Sequence, residues 1–295
     1  VSSPVFLGID IGTSGIRGCC IDENAEQITS HHIAFAGSNN SAKDGHNEQA
    51  PAIWLPLLDE LLGEISRKLR LASSRQDPRY RVNAIAIDGT SSSLIACRKD
   101  GTALSPALMY NDQQSQQQAD VISRFAPAEC AVHGASSSLA KALFLLEKYP
   151  ETEMFCHQAD WLAAALTGRY GISDENNCLK LGYDSVAQQW PDWLQQNTEN
   201  AVIPLDRLPE VKTPGAAIGP VRAELIEKYL FAKDCIVVAG TTDSNAAVLA
   251  TGADQIGDAV TSLGSTLVIK LFSSAPLFAP EFGIYSHHLH GHWLV

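Results

Sequence analysis

Apolar positions along this chain fall into short runs punctuated by glycine and into longer stretches with helical spacing. Residues 5–11 (VFLGIDI) predict a buried strand, Gly12 to Gly15 a tight turn, 16–22 (IRGCCID) a returning strand and 27–36 a third, more polar one. Three strands joined by short turns predict an antiparallel meander. A dinucleotide-binding unit would instead place a helix directly after its first strand. The glycines at 8, 12, 15 and 18 also lack the G-x-G-x-x-G order. Between 48 and 72, Ile53, Trp54, Leu57, Leu58, Leu61, Leu62, Ile65 and Leu69 recur three and four apart, predicting a helix with one apolar face.

Residues 82–88 (VNAIAID) predict a second buried strand, and 93–97 a short one after a Gly-Thr-Ser-Ser turn. Helices are expected at 115–125, 138–148 and 161–166, the last stopped by Thr167-Gly168. Residues 171–200 read as loops and short pieces, and 204–220 is punctuated by four prolines. A short helix at 222–230, a third buried strand at 235–240 and a helix at 244–251 follow. Strands at 258–263, 266–272 and 282–289 open a sheet with no visible end. This order predicts an α/β lobe over 1–253 and the start of a second domain over 254–295.

Composition narrows the class. The 295 residues are 45% hydrophobic and 18% charged, with 21 Lys and Arg against 33 Asp and Glu, a net charge of −12. That mixture excludes disorder and coiled coil, and so acidic a chain is not expected to hold nucleic acid by bulk charge. No run reaches the length of a membrane span. The N-terminus lacks the pattern of a signal peptide, unless one has been removed. Seven cysteines with no C-x-x-C fit buried thiols in a cytoplasmic protein better than disulfides or zinc.

Three apolar strands run into aspartates, Asp10, Asp88 and, further past its strand, Asp243, each beside small residues. Such turns expose backbone N–H groups that accept phosphate oxygens. A carboxylate there could hold Mg²⁺ or take a proton from a hydroxyl attacking phosphorus. It could equally be a capped turn or, for Asp243, a first-turn acid favoured by the helix dipole. Arg17 reads either as a surface residue or as a fork for a polyhydroxy ligand. Strand alternation would send His288, His290 and His292 to one face, but without carboxylate or thiol neighbours a metal site is not expected. A hydrolase working through paired carboxylates would need a separation that sequence does not give.

Taken in order, several segments resemble the FGGY carbohydrate kinases, of the ribonuclease H-like (actin/hexokinase/Hsp70) fold. They are FLGIDIGTSGIRGCCID (6–22), GHNEQAPAIW (45–54), AIAIDGTSSSLIACRKDG (84–101), PALMYNDQQS (106–115), HQADWLAAALTG (157–168), GISDENN (171–177), VVAGTTDSNAAVLATGA (237–253) and SLGSTLVI (262–269). DGTSSS with MYND most resembles the D-ribulose kinases. Glycerol kinases carry Arg-Glu at Ser91-Ser92, and xylulokinases a Gln-Met-His run near there.

The resemblance implies a mixed sheet flanked by helices and transfer of the ATP γ-phosphate to a ketopentose, with D-ribulose first and xylulose or glycerol as alternatives. Asp243 would be the general base and Asp10 the Mg²⁺ residue. Gly12 and Thr13, with Gly264, Ser265 and Thr266 from the second lobe, would face ATP. Ser14, Gly15, Arg17, Ser91, Asn111 and Asp112 would line the sugar site. Family members are longer, so these 295 residues are expected to fold, to pair as a homodimer through the open C-terminal strands, and to lack turnover alone. A non-catalytic sugar-binding module is the other reading of the missing nucleotide half.

Overall fold

The computed structural model describes residues 3–35, 45–73, 80–195, 203–263 and 267–295. In chain order its first elements are β1 (Ser3–Ile11), β2 (Gly15–Ile21), β3 (Gln27–Ala34), β4 (Glu48–Gln49), α1 (Trp54–Ala72) and β5 (Tyr80–Gly89). Next come β6 (Leu94–Cys97), β7 (Ala107–Leu108), α2 (Gln116–Ile122), α3 (Ser138–Lys148), β8 (Met154–His157) and α4 (Gln158–Thr167). Then follow β9 (Ile172–Asp174), α5 (Glu175–Cys178), α6 (Asp192–Gln195), β10 (Glu210–Lys212), β11 (Ala217–Pro220), α7 (Ala223–Lys228) and β12 (Phe231–Val238). The last are α8 (Asp243–Leu249), β13 (Ala259–Leu263), β14 (Leu267–Ser273), β15 (His287–Leu289) and β16 (His292–Leu294).

The main sheet runs β11-β12-β5-β1-β2-β3. The expected meander is present, with β1 antiparallel to β2 and β2 to β3. β5 and β12 add parallel to β1, so their carboxyl ends meet at one edge. Alternation along β1 sends Val5, Leu7, Ile9 and Ile11 into a core shared with Trp54, Leu61 and Ile65 of α1 and Leu162 of α4. Trp54 meets Trp161 edge-on, with ring centroids 6.0 Å apart. The opposite face of β1 carries Phe6, Gly8 and Asp10.

A four-stranded sheet, β4-β7-β6-β8, builds a second core with α2 and α3, centred on Leu94, Leu143 and Phe155. The strand after Asp88 therefore leaves the main sheet and does not repeat the first hairpin. The expected helix at 138–148 is α3, and Gly168 ends α4 in the left-handed region at φ 76°.

β13, β14, β16 and β15 form a further sheet, with a small core of Val248, Phe272, Leu289 and Leu294. Val248 belongs to α8, so this core crosses the expected boundary at 253. Leu263, Leu267 and Ile269 are exposed on β13 and β14. The histidine run is not one strand. β15 and β16 pair through a turn in which His290 and Gly291 have positive φ, which breaks the alternation.

Candidate functional site

The carboxyl ends of β1 and β5 place Asp10 opposite Asp88 in register. Beyond β12, the backbone of Thr242 bridges to Gly89 at the end of β5, and α8 begins at Asp243. This approach depends on Gly240: a Cβ there would lie 1.8 Å from the Ile87 carbonyl oxygen. Three carboxylates from three segments thus gather where the strand ends open, the usual crevice of an open α/β sheet.

Their electrostatics follow from crowding and burial. Burial first, then the charges of Asp10 and Asp243, push the Asp88 pKa up to about 8. Asp88 Oδ1 is buried without a hydrogen-bond partner. Burial also raises Asp243, opposed by the Ser244 N–H that donates to its Oδ1 at 2.6 Å. Asp10 is paired with Arg17, whose Nη1 lies 2.6 Å from its Oδ2.

Two lysines that sequence reasoning missed stand beside Asp243. Lys270 on β14 donates to Ser244 Oγ at 2.9 Å and Asn245 Oδ1 at 2.6 Å, and burial lowers its pKa to about 8. Lys180 is lowered by burial while the charge of Asp243 acts in the other direction. No local pattern marks either residue, because each reaches Asp243 from a distant segment. Cavities of about 510 Å³ and 320 Å³ share Gly8 and Asp88, the first also lined by Asp10 and Arg17, the second by Gly240 and Thr241.

The other expected residues divide. Thr13 and Ser14 are exposed on the turn from β1 to β2, and Gly12 is half-buried there. The Thr13 carbonyl accepts from Gln49 Nε2 at 3.2 Å, and Gln49 Oε1 accepts from Trp54 Nε1 at 3.1 Å. Gly15 is buried against β3, where a Cβ would stand 2.4 Å from the Ile33 carbonyl oxygen. It packs two strands and lines no open space. Ser91 and Asn111 are half-buried, on turns before β6 and after β7. Asp112 is fully buried. Its Oδ2 accepts from the Asn47 N–H at 2.6 Å and its Oδ1 from the Gln114 N–H at 3.0 Å. That position holds the loop and gives Asp112 no face toward a ligand. Gly264, Ser265 and Thr266 lie outside the described residues.

Oxygen donors suit Mg²⁺, and the unpartnered Asp88 Oδ1 beside Asp10 fits a hard cation or its water. Among the described residues no three Asp, Glu, His or Cys side chains converge as a complete metal site. One or two carboxylates would therefore share the ion with phosphate and water.

Other arrangements are structural. Ser138, His157 and Asp160 stand in the order of a hydrolase triad, with Oγ to Nε2 and Nδ1 to Oδ2 both 3.1 Å. All three are buried, and Asp160 caps α4 by accepting from the His157 N–H. His288 pairs with Glu175 at 3.1 Å, and burial drives His287 down to about 3. All seven cysteines are free, and burial raises Cys130 to about 11. Among the described residues no helix is long and apolar enough to cross a membrane.

Known carbohydrate kinases resemble this chain in sequence and in fold. A xylulose kinase of Lactococcus lactis is 26% identical over 293 residues, 96% of this chain and 55% of the relative. The chain thus spans about half the length of the curated relatives it matches. The crystal structure of a "xyloylose kinase" from Brucella ovis superposes with a TM-score of 0.85 at 22% identity, covering 98% of this chain and 60% of that one. Plasmodium falciparum glycerol kinase with ADP gives 0.77 at 20%, covering 92% and 55%. These likenesses establish the sugar-kinase fold expected from sequence. Residues 5–250 match the sequence model of the N-terminal domain of the FGGY family of carbohydrate kinases, and the chain belongs to that family.

Proposed function

We propose that this chain is the sugar-binding half of an ATP-dependent carbohydrate kinase that phosphorylates a hydroxyl of a ketopentose. The observation that carries the reading is the meeting of Asp10, Asp88 and Asp243 at the ends of β1, β5 and the lead into α8. Asp243 is the general base. Its Oδ1 is occupied by the Ser244 N–H, which leaves Oδ2 to take the proton of the attacking hydroxyl. Burial raises its pKa and so its basicity. Lys270, bonded to the first turn of α8, keeps that turn in place.

Asp10 and Asp88 face the position for Mg²⁺, which when bound neutralises charge on the transferring phosphate. Thr13 and the amides near Gly12 lie on the phosphate side. Ser14, Arg17, Ser91 and Asn111 lie on the sugar side. The Ser91-Ser92 pair supports D-ribulose as acceptor. The likeness to the xylulose kinase of Lactococcus lactis supports D-xylulose, the second reading.

A coupled ADP-release assay over D-ribulose, D-xylulose, L-ribulose and glycerol tests both. It is run on these 295 residues and on the whole protein the gene encodes. Greater turnover on D-xylulose removes the ribulose reading. Asp243→Asn should lower kcat by roughly 10²–10⁴-fold and leave sugar affinity within a few-fold. Retention of a tenth of kcat removes Asp243 from the base role.

A further inference from the structure

Lys141 is the least expected residue in the second core. It lies on α3 with no exposed surface, between Ala140 and Ala142 and close to Leu139, Leu143 and Leu145, all buried. An ammonium group in such surroundings is unfavourable unless its donors are matched. Nζ donates to the Ser92 carbonyl at 2.8 Å and to the Met109 carbonyl at 2.7 Å. Burial lowers its pKa to about 7, while the nearby Asp112 carboxylate acts to raise it.

The two carbonyls belong to the two turns that carry the proposed sugar-side residues. Ser92 follows Ser91 and is held at φ 62°, a left-handed conformation that serine rarely adopts unaided. Met109 precedes Tyr110 and Asn111, and its carbonyl also accepts from the Asp112 N–H at 2.9 Å. From the other side, Asp112 accepts the Asn47 N–H, and the Asn47 side-chain amide bonds Asn111 Oδ1. Neither turn is joined to the other by a ladder at these carbonyls. The register between β6 and β7 is a single pair, Leu94 with Leu108. A charged side chain from a third element therefore supplies the connection.

We propose that Lys141 is a positioning residue that ties the Ser92 and Met109 turns together and so sets the spacing of Ser91 and Asn111 that a sugar meets. It touches no ligand, and its effect on sugar rests on the kinase reading above. Lys141→Met keeps the length of the side chain and removes every donor. Lys141→Gln keeps two N–H donors on a shorter arm and serves as the partial rescue, and as the usable variant if the first fails to fold.

Hydrogen exchange on the 295-residue chain reads the clamp without any activity. The Ser93 and Asp112 amides, bonded within these turns, should exchange about tenfold faster in Lys141→Met, with Lys141→Gln between it and the parent. Amides of β1 and β5 should be unchanged. Calorimetry with D-ribulose and D-xylulose should show the sugar Kd raised about tenfold in Lys141→Met, and with MgATP no comparable change. Unchanged exchange in both turns overturns the proposal, as does an increase spread evenly over β1 and β5. Localised exchange with an unchanged sugar Kd overturns the positioning role. Should the parent bind neither sugar, the kinase reading falls, and exchange alone decides whether the clamp stands.

Discussion

Replacing Asp88 by Asn should make the folded chain more stable at alkaline pH and leave it unaltered in acid. Asp88 has an ordinary pKa of 3.8 and is pushed up to about 8 by burial and by the carboxylates of Asp10 and Asp243. Its folded pKa lies above its unfolded one, so the folded state holds a proton that the unfolded state has lost. Stability is fully present below about 3.8 and is lost progressively as pH rises to about 8. Each pKa unit is worth ~1.4 kcal/mol, so the whole interval corresponds to ~6 kcal/mol.

Two things reduce that figure. The repulsion is shared among three carboxylates, and Asp88 is open enough to the cleft for water to screen part of it. About 2–3 kcal/mol is expected at pH 8. Asparagine keeps the shape of the protonated acid and carries no charge at any of these pH values. The assay is urea unfolding of parent and Asp88→Asn at about pH 4, 6 and 8 without divalent cations, read as the difference in unfolding free energy. The difference should grow from near zero to its full value across that series. A difference that is the same at all three pH values, or a variant less stable at pH 8, would refute the reasoning.

Gly240→Ala should cost ~3 kcal/mol or more, because its Cβ meets the Ile87 carbonyl oxygen at 1.8 Å and the lead into α8 must move. An unchanged urea midpoint would contradict it. Trp54→Phe removes the donor to Gln49 Oε1 and should cost ~1–2 kcal/mol, with faster exchange of the Gly12 amide that the hairpin turn otherwise protects. Arg17→Ala breaks an exposed ion pair to Asp10 and should change stability by less than ~1 kcal/mol. Its effect should instead appear as a higher KM for sugar than for MgATP, and a larger rise for ATP would move Arg17 to the phosphate side.

Sequence by itself determined the elements whose pattern is local. The meander of β1, β2 and β3, the amphipathic α1, the helix at 138–148 and the glycine stop at 168 all follow from periodicity and turn chemistry acting over a few residues. The same local logic placed Asp10 at a strand end and Asp243 at a helix start. Tertiary structure decided what depends on distant segments meeting. β6 joins a second sheet because its partners, β7 and β8, come from later in the chain. Asp112 looks like a ligand residue in the run MYND, yet Asn47 and Gln114 take its oxygens inside the protein. The histidines at 287–292 alternate in sequence, but a positive-φ turn splits them between two strands. Lys141, Lys180 and Lys270 carry no local signature, since their chemistry comes from the carbonyls, side chains and carboxylates that folding brings to them. Asp88 is the clearest case: an ordinary strand-end acid by sequence, it is pushed toward its protonated form because folding buries it and then sets Asp10 and Asp243 beside it.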